Sequence, residues 1–440
     1  MKRTLMTFML ALVMTAVTLL PGCKGFRPDE ETPNNPATTI TIAVPASAGS
    51  VEKDVMENLA KAYKTANPDC TLDFYVQEIN GGYDSEMTQL ASAGVLPDIF
   101  LTGDSNAYLF ANYGMTEKLE TYAEKNAEYK AILQDIYPSL LEMYAFNGGT
   151  YGLPREYPRM LIFYNKTLFD DANIAYPQNG WTWEQFRQTA TKLTKVDSDG
   201  TVLQYGSSLR IRWTSAIIPV LLGLDPEAKF ISDDGKSGAI DEHMLTGLSE
   251  LRSMVLAGEC FNEYSPDNAT FANGSIAMYV SISGDVPNFE KTLGKGKFDV
   301  VSMPETPKGS IGTGTSGYSV SKSSAHKDTA VDFLFFMASE EGQNILGRER
   351  GIIPVRKSMA TTGEYRTQYQ GYNLEAFLYK TEYDAPTLTS MLYDKSKTSP
   401  VMEGIMAMIE NYVAKTVDVS DPAKLIENYN KRINNELNIG

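Results

Sequence analysis

Two motifs late in the chain could carry chemistry. Residues 312–317 spell G-x-G-x-x-G, the dinucleotide-binding fingerprint, but residues 318–321 alternate in the manner of a strand. The fingerprint needs a helix at that place, because the helix N-terminus binds the pyrophosphate. We therefore predict no nucleotide site and interpret the glycines as a flexible, closely packed crossing of the chain.

Ser319 and Lys322 have the S-x-x-K spacing of serine acyl-transferases of the cell wall. That chemistry needs the serine at the start of a helix, followed by S-x-N and K-T-G elements. The chain has no S-x-N, and its nearest approach to K-T-G, at residues 236–238, comes before Ser319. The match therefore predicts no enzyme, although paired carboxylates for glycoside chemistry stay open in a chain with 55 acidic residues.

Metal-binding residues are scarce. The chain has 3 cysteines and 2 histidines, and none of them lies at ligand spacing from another. Residues 197–200 resemble the start of a calcium loop but lack its closing Glu, so they predict a turn. We predict no metal, no cofactor and no disulfide framework, with Cys70 and Cys260 as free thiols.

The N-terminus has the composition of an export signal. A basic head at residues 1–3 precedes an apolar run at residues 4–20, and Gly22 stands directly before Cys23. This arrangement predicts a lipoprotein signal peptide over residues 1–22 and acylation (palmitate) at Cys23. Residues 23–38 are proline-rich and polar, which is typical of a flexible tether. The alternative is that the apolar run stays in place as a membrane helix.

Charge and length limit the partners and the architecture. The formal net charge is −16 at pH 7, so neither nucleic acid nor an anionic bilayer surface is an expected partner. A body of this length exceeds what one hydrophobic core usually serves, which predicts two lobes. We expect a monomer, held by its lipid at the outer face of the membrane or in the periplasm.

The body begins with alternating strands and helices. Residues 40–44, 72–76 and 99–101 alternate or run apolar as strands do, and helical patterns lie between them. Such βαβ units predict a parallel sheet with helices on both faces. Ligands of open sheets lie beyond the carboxyl ends of the strands, which places the loops at residues 45–50 and 102–105 at a binding edge.

Seven short segments follow one another in the order known from one protein family. They are Leu96-Pro97-Asp98-Ile99-Phe100, Asn147-Gly148-Gly149-Thr150-Tyr151-Gly152-Leu153-Pro154, Phe163-Tyr164-Asn165-Lys166, Trp181-Thr182-Trp183-Glu184-Gln185-Phe186, Phe271-Ala272-Asn273-Gly274-Ser275-Ile276-Ala277-Met278, Gly317-Tyr318-Ser319-Val320-Ser321-Lys322-Ser323-Ser324 and Ile353-Pro354-Val355-Arg356-Lys357-Ser358. Over nearly all of its mature length the chain thereby resembles the family 1 extracellular solute-binding proteins, the maltose-binding-protein-like receptors of ABC importers.

The resemblance implies an α/β, type II periplasmic-binding-protein-like fold. Each of its two lobes would hold a mostly parallel sheet flanked by helices, with a hinge between the lobes. The chain would cross near residues 154–162, 312–319 and 372–386. Lobe 1 would comprise residues 39–155 and 315–378, and lobe 2 residues 156–314 and 379–440. The resemblance also implies no catalytic residues, hinge closure on a small solute, and delivery of that solute to ABC permease subunits.

Two departures bear on the ligand. The loop at residues 45–50 lacks a Trp that many sugar-binding members carry, and Ser283-Gly284-Asp285 stands where many have Gly and an aromatic residue. Both argue against a large stacked oligosaccharide, and we expect a small sugar or a related polar solute. Two alternatives stay open: an exported lipoprotein enzyme acting on cell-wall glycans or peptides, and a ligand-sensing receptor without a transport role.

Candidate ligand-binding residues combine aromatic faces with polar groups on loops near the expected cleft, because sugar rings have apolar faces and hydroxyl edges. Asp104 follows the third strand, and Asp285 ends the strand through Tyr279. The resemblance places Arg155, Tyr157, Ser316 and Tyr318 at crossings and Trp213 in a segment that supplies contacts in similar proteins, while Arg350 comes just before residues 351–354. The candidates are Asp104, Arg155, Tyr157, Trp213, Asp285, Ser316, Tyr318 and Arg350.

Replacing the predicted acylation site tests the anchoring. Cys23→Ala should release the protein from the membrane fraction, because acylation requires that thiol. Fractionation followed by immunoblotting measures the change. A variant that stays in the membrane fraction would show that the apolar run remains as a helix.

Overall fold

The computed structural model describes residues 36–46, 51–264, 267–361, 364–414 and 421–438. The expected signal peptide, Cys23 and most of the expected tether lie outside the described residues, as do residues 47–50 of the first binding loop. A 3-10 turn, Pro36–Thr38, precedes the first strand. Among the described residues, no helix combines the length and apolarity needed to cross a bilayer.

Two five-stranded sheets organise the body. The first has the strand order β2-β1-β3-β12-β6 and the second the order β11-β7-β10-β9-β8, while β4 and β5 form a hairpin. The strands are β1 (Thr39–Pro45), β2 (Asp73–Ile79), β3 (Ile99–Gly103), β4 (Ala145–Phe146), β5 (Gly149–Thr150), β6 (Leu153–Pro154), β7 (Leu161–Asn165), β8 (Lys195–Val196), β9 (Val202–Ser208), β10 (Ile276–Ser281), β11 (Phe298–Ser302) and β12 (Ser316–Val320).

Helices cover the sheets and fill the connections. They are α1 (Glu52–Ala66), α2 (Tyr83–Ser92), α3 (Asp104–Asn112), α4 (Glu120–Ala123), α5 (Ala127–Asp135), α6 (Pro138–Leu141), α7 (Lys166–Asp171), α8 (Trp183–Leu193), α9 (Thr214–Leu224), α10 (Glu242–Leu256), α11 (Val286–Thr292), α12 (Lys327–Met337), α13 (Glu340–Arg350), α14 (Lys357–Ala360), α15 (Glu364–Gln368), α16 (Leu374–Phe377), α17 (Leu388–Met391), α18 (Thr398–Ile409) and α19 (Pro422–Asn438). The capping box predicted at Thr182 and Gln185 opens α8.

Strand pairing is mixed, which departs from the expectation of mostly parallel sheets. The pairs β1–β3 and β9–β10 are parallel, as βαβ units require. In contrast, β7 and β12 pair antiparallel with their neighbours on both sides. Each of these two strands enters its sheet directly from the other sheet. No helix on its own sheet precedes it, so the crossover that imposes parallel pairing is missing.

Strand β7 shows how the two cores meet. All five of its residues are buried, and successive side chains point to opposite faces. Leu161 and Phe163 join the core that begins at the first sheet, whereas Ile162 and Tyr164 join the core of the second sheet. A strand that is buried on both faces lies inside the molecule. The first crossing, which leads directly into β7, therefore also ends in the interior.

The crossing segments bond to one another through backbone and side chains. The N–H of Met160 donates to the carbonyl of Gly312 at 2.9 Å, and the N–H of Ile311 donates to the carbonyl of Tyr383 at 2.7 Å. Arg159, which is 1% exposed, ties the first crossing to the segment at residues 379–384. Its Nε donates to Asp384 at 2.6 Å and its Nη atoms donate to the carbonyls of residues 379 and 380 at 2.5 and 2.6 Å.

The two motifs that resembled enzyme signatures occupy structural positions. Residues 316–320 form β12, so the glycine-rich segment leads into a strand and not into a helix, as predicted. Ser319 lies within that strand, fully buried, with its Oγ 3.0 Å from the hydroxyl of Thr102. The two cysteines in the described part of the chain, Cys70 and Cys260, are free thiols, also as predicted.

The glycine-rich crossing supplies a matched set of substitutions. A Cβ at Gly312 would overlap the carbonyl of Ser215, and one at Gly317 would overlap the carbonyl of Leu153. A Cβ at Gly314 would meet only the Ser215 hydroxyl, at 3.6 Å. Gly312→Ala and Gly317→Ala should each reduce the free energy of unfolding by about 1–3 kcal/mol, because neighbouring backbone must move.

Urea denaturation measures the effect, with Gly314→Ala as the control that should stay near the parent. Equal midpoints for all three variants would contradict the close packing of the crossing.

Candidate functional site

Three of the candidate residues meet at a buried acid. Glu52 is the first residue of α1 and is 3% exposed. Its carboxylate binds the guanidinium groups of Arg155 and Arg350 and accepts a hydrogen bond from the Tyr318 hydroxyl at 2.5 Å. A buried carboxylate is stable only when it is paired and hydrogen-bonded, and here three separate elements supply its partners.

Glu156 adds a second acid to the same group. Its carboxylate lies 3.3 Å from Nη2 of Arg155 and 3.8 Å from Nη2 of Arg350, and it accepts the Ser316 hydroxyl at 3.0 Å. We call Glu52, Arg155, Glu156 and Arg350 the ion cluster. Two acids and two guanidinium groups balance its formal charge.

The ion cluster shifts the protonation of its members and of its neighbour. Burial pushes the pKa of Glu156 upward, but the guanidinium groups of Arg155 and Arg350 outweigh burial and hold that pKa below its ordinary value. Burial, with the nearby charge of Glu52, raises the pKa of Tyr318 well above its ordinary value. At neutral pH the carboxyl of Glu156 is therefore charged, and Tyr318 is a neutral donor.

Arg350 links the ion cluster to the second sheet. It is the last residue of α13, whose C-cap, Gly351, has a φ of 63°. A Cβ at Gly284, in the turn after β10, would lie 3.7 Å from the carbonyl oxygen of Arg350. The turn that carries Asp285 thus touches the residue that closes the ion cluster.

A cation between two aromatic rings lies on the second sheet. The guanidinium carbon of Arg210 is 4.2 Å from the centre of the Trp213 ring and 5.5 Å from that of Tyr279. Arg210 follows β9 with a φ of 52°, and Trp213 caps the start of α9. We call these three residues the arginine stack. All three are half-buried, so they face a partly open space.

Asp285 belongs to the same neighbourhood. It ends the 3-10 turn after β10, is half-buried, and accepts a hydrogen bond from the Ser281 hydroxyl. Burial raises the pKa of Tyr279, Arg210 lowers it, and the charges of Glu263 and Asp285 raise it. Asp285 and Arg210 are therefore both within electrostatic reach of one ring.

Tyr157 belongs to a different network of contacts. Tyr157 is completely buried, and its hydroxyl donates to Asp384, which also accepts the Ser139 hydroxyl at 2.8 Å. The structure thus brings Tyr157 to the tie between crossings. Asp104 begins α3 directly after β3, and its side chain lies outside the described part of the structure.

Sequence reasoning missed Glu52, Glu156, Arg210 and Tyr279. Glu156 follows Arg155 in the crossing, and Glu52 follows the first binding loop. Both acids could therefore have been proposed from their positions in the sequence. Arg210 and Tyr279 were not visible, because their pairing depends on a left-handed backbone at Arg210 and on adjacent strands.

Two cavities adjoin this region and share a wall at residues 385–387. One, of about 340 Å³, is lined in part by Thr214, the residue that follows Trp213 in the chain. Its lining is rich in hydroxyl groups, from Thr214, Ser215, Thr313, Thr387, Thr389, Thr398 and Ser399. The other, of about 420 Å³, lies between residues 139–146 and 384–395. Among the described residues, no group of three or more metal-ligating side chains forms a metal site.

Comparison with known proteins gives a consistent result. A family model described as bacterial extracellular solute-binding protein matches residues 58–370. A mannitol-binding protein from Pseudomonas aeruginosa is 25% identical over 338 residues, which span 72% of this chain and 73% of that protein.

Solved structures agree in fold. A substrate-binding protein of an ABC transporter from Listeria monocytogenes, in complex with cycloalternan, has a TM-score of 0.74 at 20% identity and covers 91% of this chain and 99% of its own. The sugar-binding protein MalE from Xanthomonas citri has a TM-score of 0.75 at 19% identity, with 91% and 97% covered. The predicted class, a two-lobe α/β fold of the periplasmic-binding-protein type, is confirmed.

The ion cluster predicts a pH dependence. A carboxyl whose pKa is lowered by folding stabilises the protein fully above its ordinary pKa, 4.5 for Glu156, and loses that contribution as pH falls through the folded-state value. Glu156→Gln should therefore be less stable than the parent at neutral pH. It should also lose less stability between about pH 6 and about pH 3.5.

Urea midpoints across that range measure both effects. Glu57→Gln is the control, because Glu57 is exposed and its nearest cation, Lys53, is 3.9 Å away. A Glu156→Gln variant with the parent's acid sensitivity would contradict the assignment.

Proposed function

The chain belongs to the bacterial extracellular solute-binding proteins, and on that premise we propose that it captures a carbohydrate or a related small polar solute for an ABC importer. The named relatives bind mannitol and cycloalternan, both rich in hydroxyl groups. The observation that carries the proposal is the approach of the Asp285 turn to Arg350. It brings the end of α13, whose Arg350 belongs to the ion cluster, next to the turn that carries Asp285.

The proposed cleft offers what a sugar requires. Hydroxyl groups both donate and accept, so a sugar needs fixed donors and fixed acceptors together. Arg210 and Arg350 supply donors, and Asp285 supplies an acceptor. The hydroxyl-lined cavity includes Thr214, which follows Trp213 in the chain. Ser316 and Tyr318 donate hydrogen bonds to Glu156 and Glu52, so they orient the ion cluster and need not touch the ligand.

We assign the lobes as residues 39–155 with 315–378, and residues 156–314 with 379–440. The sheet memberships support this division, because β1, β2, β3, β6 and β12 share one sheet and β7 to β11 share the other. The tie between Arg159 and Asp384 joins two of the crossing segments about which the lobes would turn. A hinge at bonded crossings permits closure on ligand without separate rearrangement of each lobe.

We also propose that the mature protein is a monomer anchored through an acylated Cys23 at the outer face of the membrane. The proline-rich segment before Ile40 would serve as the tether.

Catalysis is not part of the proposal. A glycoside hydrolase needs one carboxyl that holds a proton at working pH. Arg155 and Arg350 lower the pKa of Glu156, so this carboxyl does not meet that need.

A thermal-shift screen of residues 26–440 tests the function. Sugars, polyols, amino acids and phosphate esters form the panel. A ligand that binds only the folded protein adds about 2.7 kcal/mol of stability at a free concentration about 100 times its Kd. We expect a rise in melting temperature with a sugar or polyol, recovered chemically unchanged. A response to amino acids alone, or turnover of the ligand, would contradict the proposal.

Two substitutions test the site once a ligand is known. Trp213→Ala and Asp285→Ala should each weaken binding by about 1–3 kcal/mol, through lost ring contact and through ligand hydroxyls left unpaired. Isothermal titration calorimetry measures the loss. Tyr113→Ala is the control, since that ring is 62% exposed in another part of the fold. Unchanged affinity in both well-folded variants would place the site elsewhere.

A further inference from the structure

The guanidinium group of Arg210 contacts no carboxylate among the residues that the structure describes. Its Nε is buried and has no hydrogen-bond partner among the described residues. The faces of Trp213 and Tyr279 lie close to its guanidinium carbon, and they attract a cation but accept no in-plane hydrogen bond. A half-buried charge with unused donors is costly, and such a group calls for a partner from outside the chain.

Other enclosed arginines of this protein are treated differently. Arg155, Arg159, Arg187, Arg350 and Arg356 are each buried or half-buried, and each contacts a carboxylate of the chain. Arg252, which is also half-buried, donates to the carbonyl of Tyr412. In the described part of the chain, an acceptor for each of these enclosed guanidinium groups is therefore the rule. Arg210 departs from that rule at the place where the ligand is proposed to bind.

The local backbone and two neighbouring rings also constrain the position of the Arg210 side chain. Its backbone φ of 52° is uncommon for a residue with a side chain, and the N–H of Trp213 donates to the carbonyl of Arg210 at 2.8 Å. The turn and the two rings restrict where the guanidinium can lie. A fixed planar fork of donors matches a carboxylate, which it binds through two parallel hydrogen bonds.

We propose that Arg210 binds a carboxylate of the ligand, so that the captured carbohydrate is a sugar acid of the uronic or aldonic class. This inference rests on the proposed carbohydrate-binding function and narrows it. Asp285 then accepts a hydroxyl of the same molecule. The acids near the stack, Asp285 and Glu263, favour a singly charged carboxylate over a doubly charged phosphate ester, because repulsion grows with the ligand's charge.

Matched pairs of compounds test the inference by calorimetry at neutral pH. The pairs are D-glucuronate with D-glucose, D-galacturonate with D-galactose, D-gluconate with D-sorbitol, and D-mannonate with D-mannitol, with D-glucose 6-phosphate as the phosphate arm. We expect at least one acid to bind ten or more times tighter than its neutral partner. Arg210→Gln should reduce that ratio to about one, and Arg210→Lys should restore part of it, because lysine keeps the charge and loses the fork.

The control variant is Arg212→Gln. Arg212 is exposed and also lies over an aromatic ring, Tyr264, at 5.1 Å, so its loss should leave the ratio unchanged. A neutral sugar that binds as tightly as its acid, or a preference for the phosphate, would overturn the inference and leave the proposed function standing. No binding by any compound of the panel would count against both.

Discussion

The buried ion pair between Arg159 and Asp384 is the interaction on which the arrangement of the two sheets depends. A guanidinium this deep is tolerated only with full pairing, and its partners lie in a crossing segment more than two hundred residues away along the chain. Tyr157 and Ser139 complete the coordination of Asp384 from the first crossing and from α6. The ends of β6, β7 and β12, and the functional groups beyond them, are positioned by that junction.

The ion cluster and the arginine stack differ in how far their charges are paired within the protein. The two acids and two guanidinium groups of the ion cluster pair with one another, so the formal charge of the cluster is zero. The arginine stack is unbalanced among the described residues, and its rings hold it in place without satisfying it. The two groups lie on different sheets, and the turn that follows β10 in the second sheet meets Arg350 of the ion cluster at Gly284. Binding of a polar solute there would connect the sheets through the ligand itself.

Much of the architecture could be predicted from the sequence because strong local patterns encode it. Alternation at residues 40–44 and 72–76 gave β1 and β2, and the context after residues 312–317 excluded a nucleotide site. Antiparallel entry of β7 and β12 was not predictable, because it follows from crossings between sheets. Arg155, Tyr318 and Arg350 were found, but their common partner Glu52 was not, since contacts across 103 to 298 residues leave no periodic signal. Ser316 was found without its partner Glu156.

Hydrogen–deuterium exchange, with and without the sugar that most raises the melting temperature, tests the central claim that one ligand bridges the two sheets. The account predicts slower exchange in peptides covering residues 51–56 and 350–353 beside the first sheet. The same sample should show slower exchange in peptides covering residues 210–216 and 283–286 beside the second. Protection confined to the loops of one sheet, or found only around residues 139–146, would contradict it.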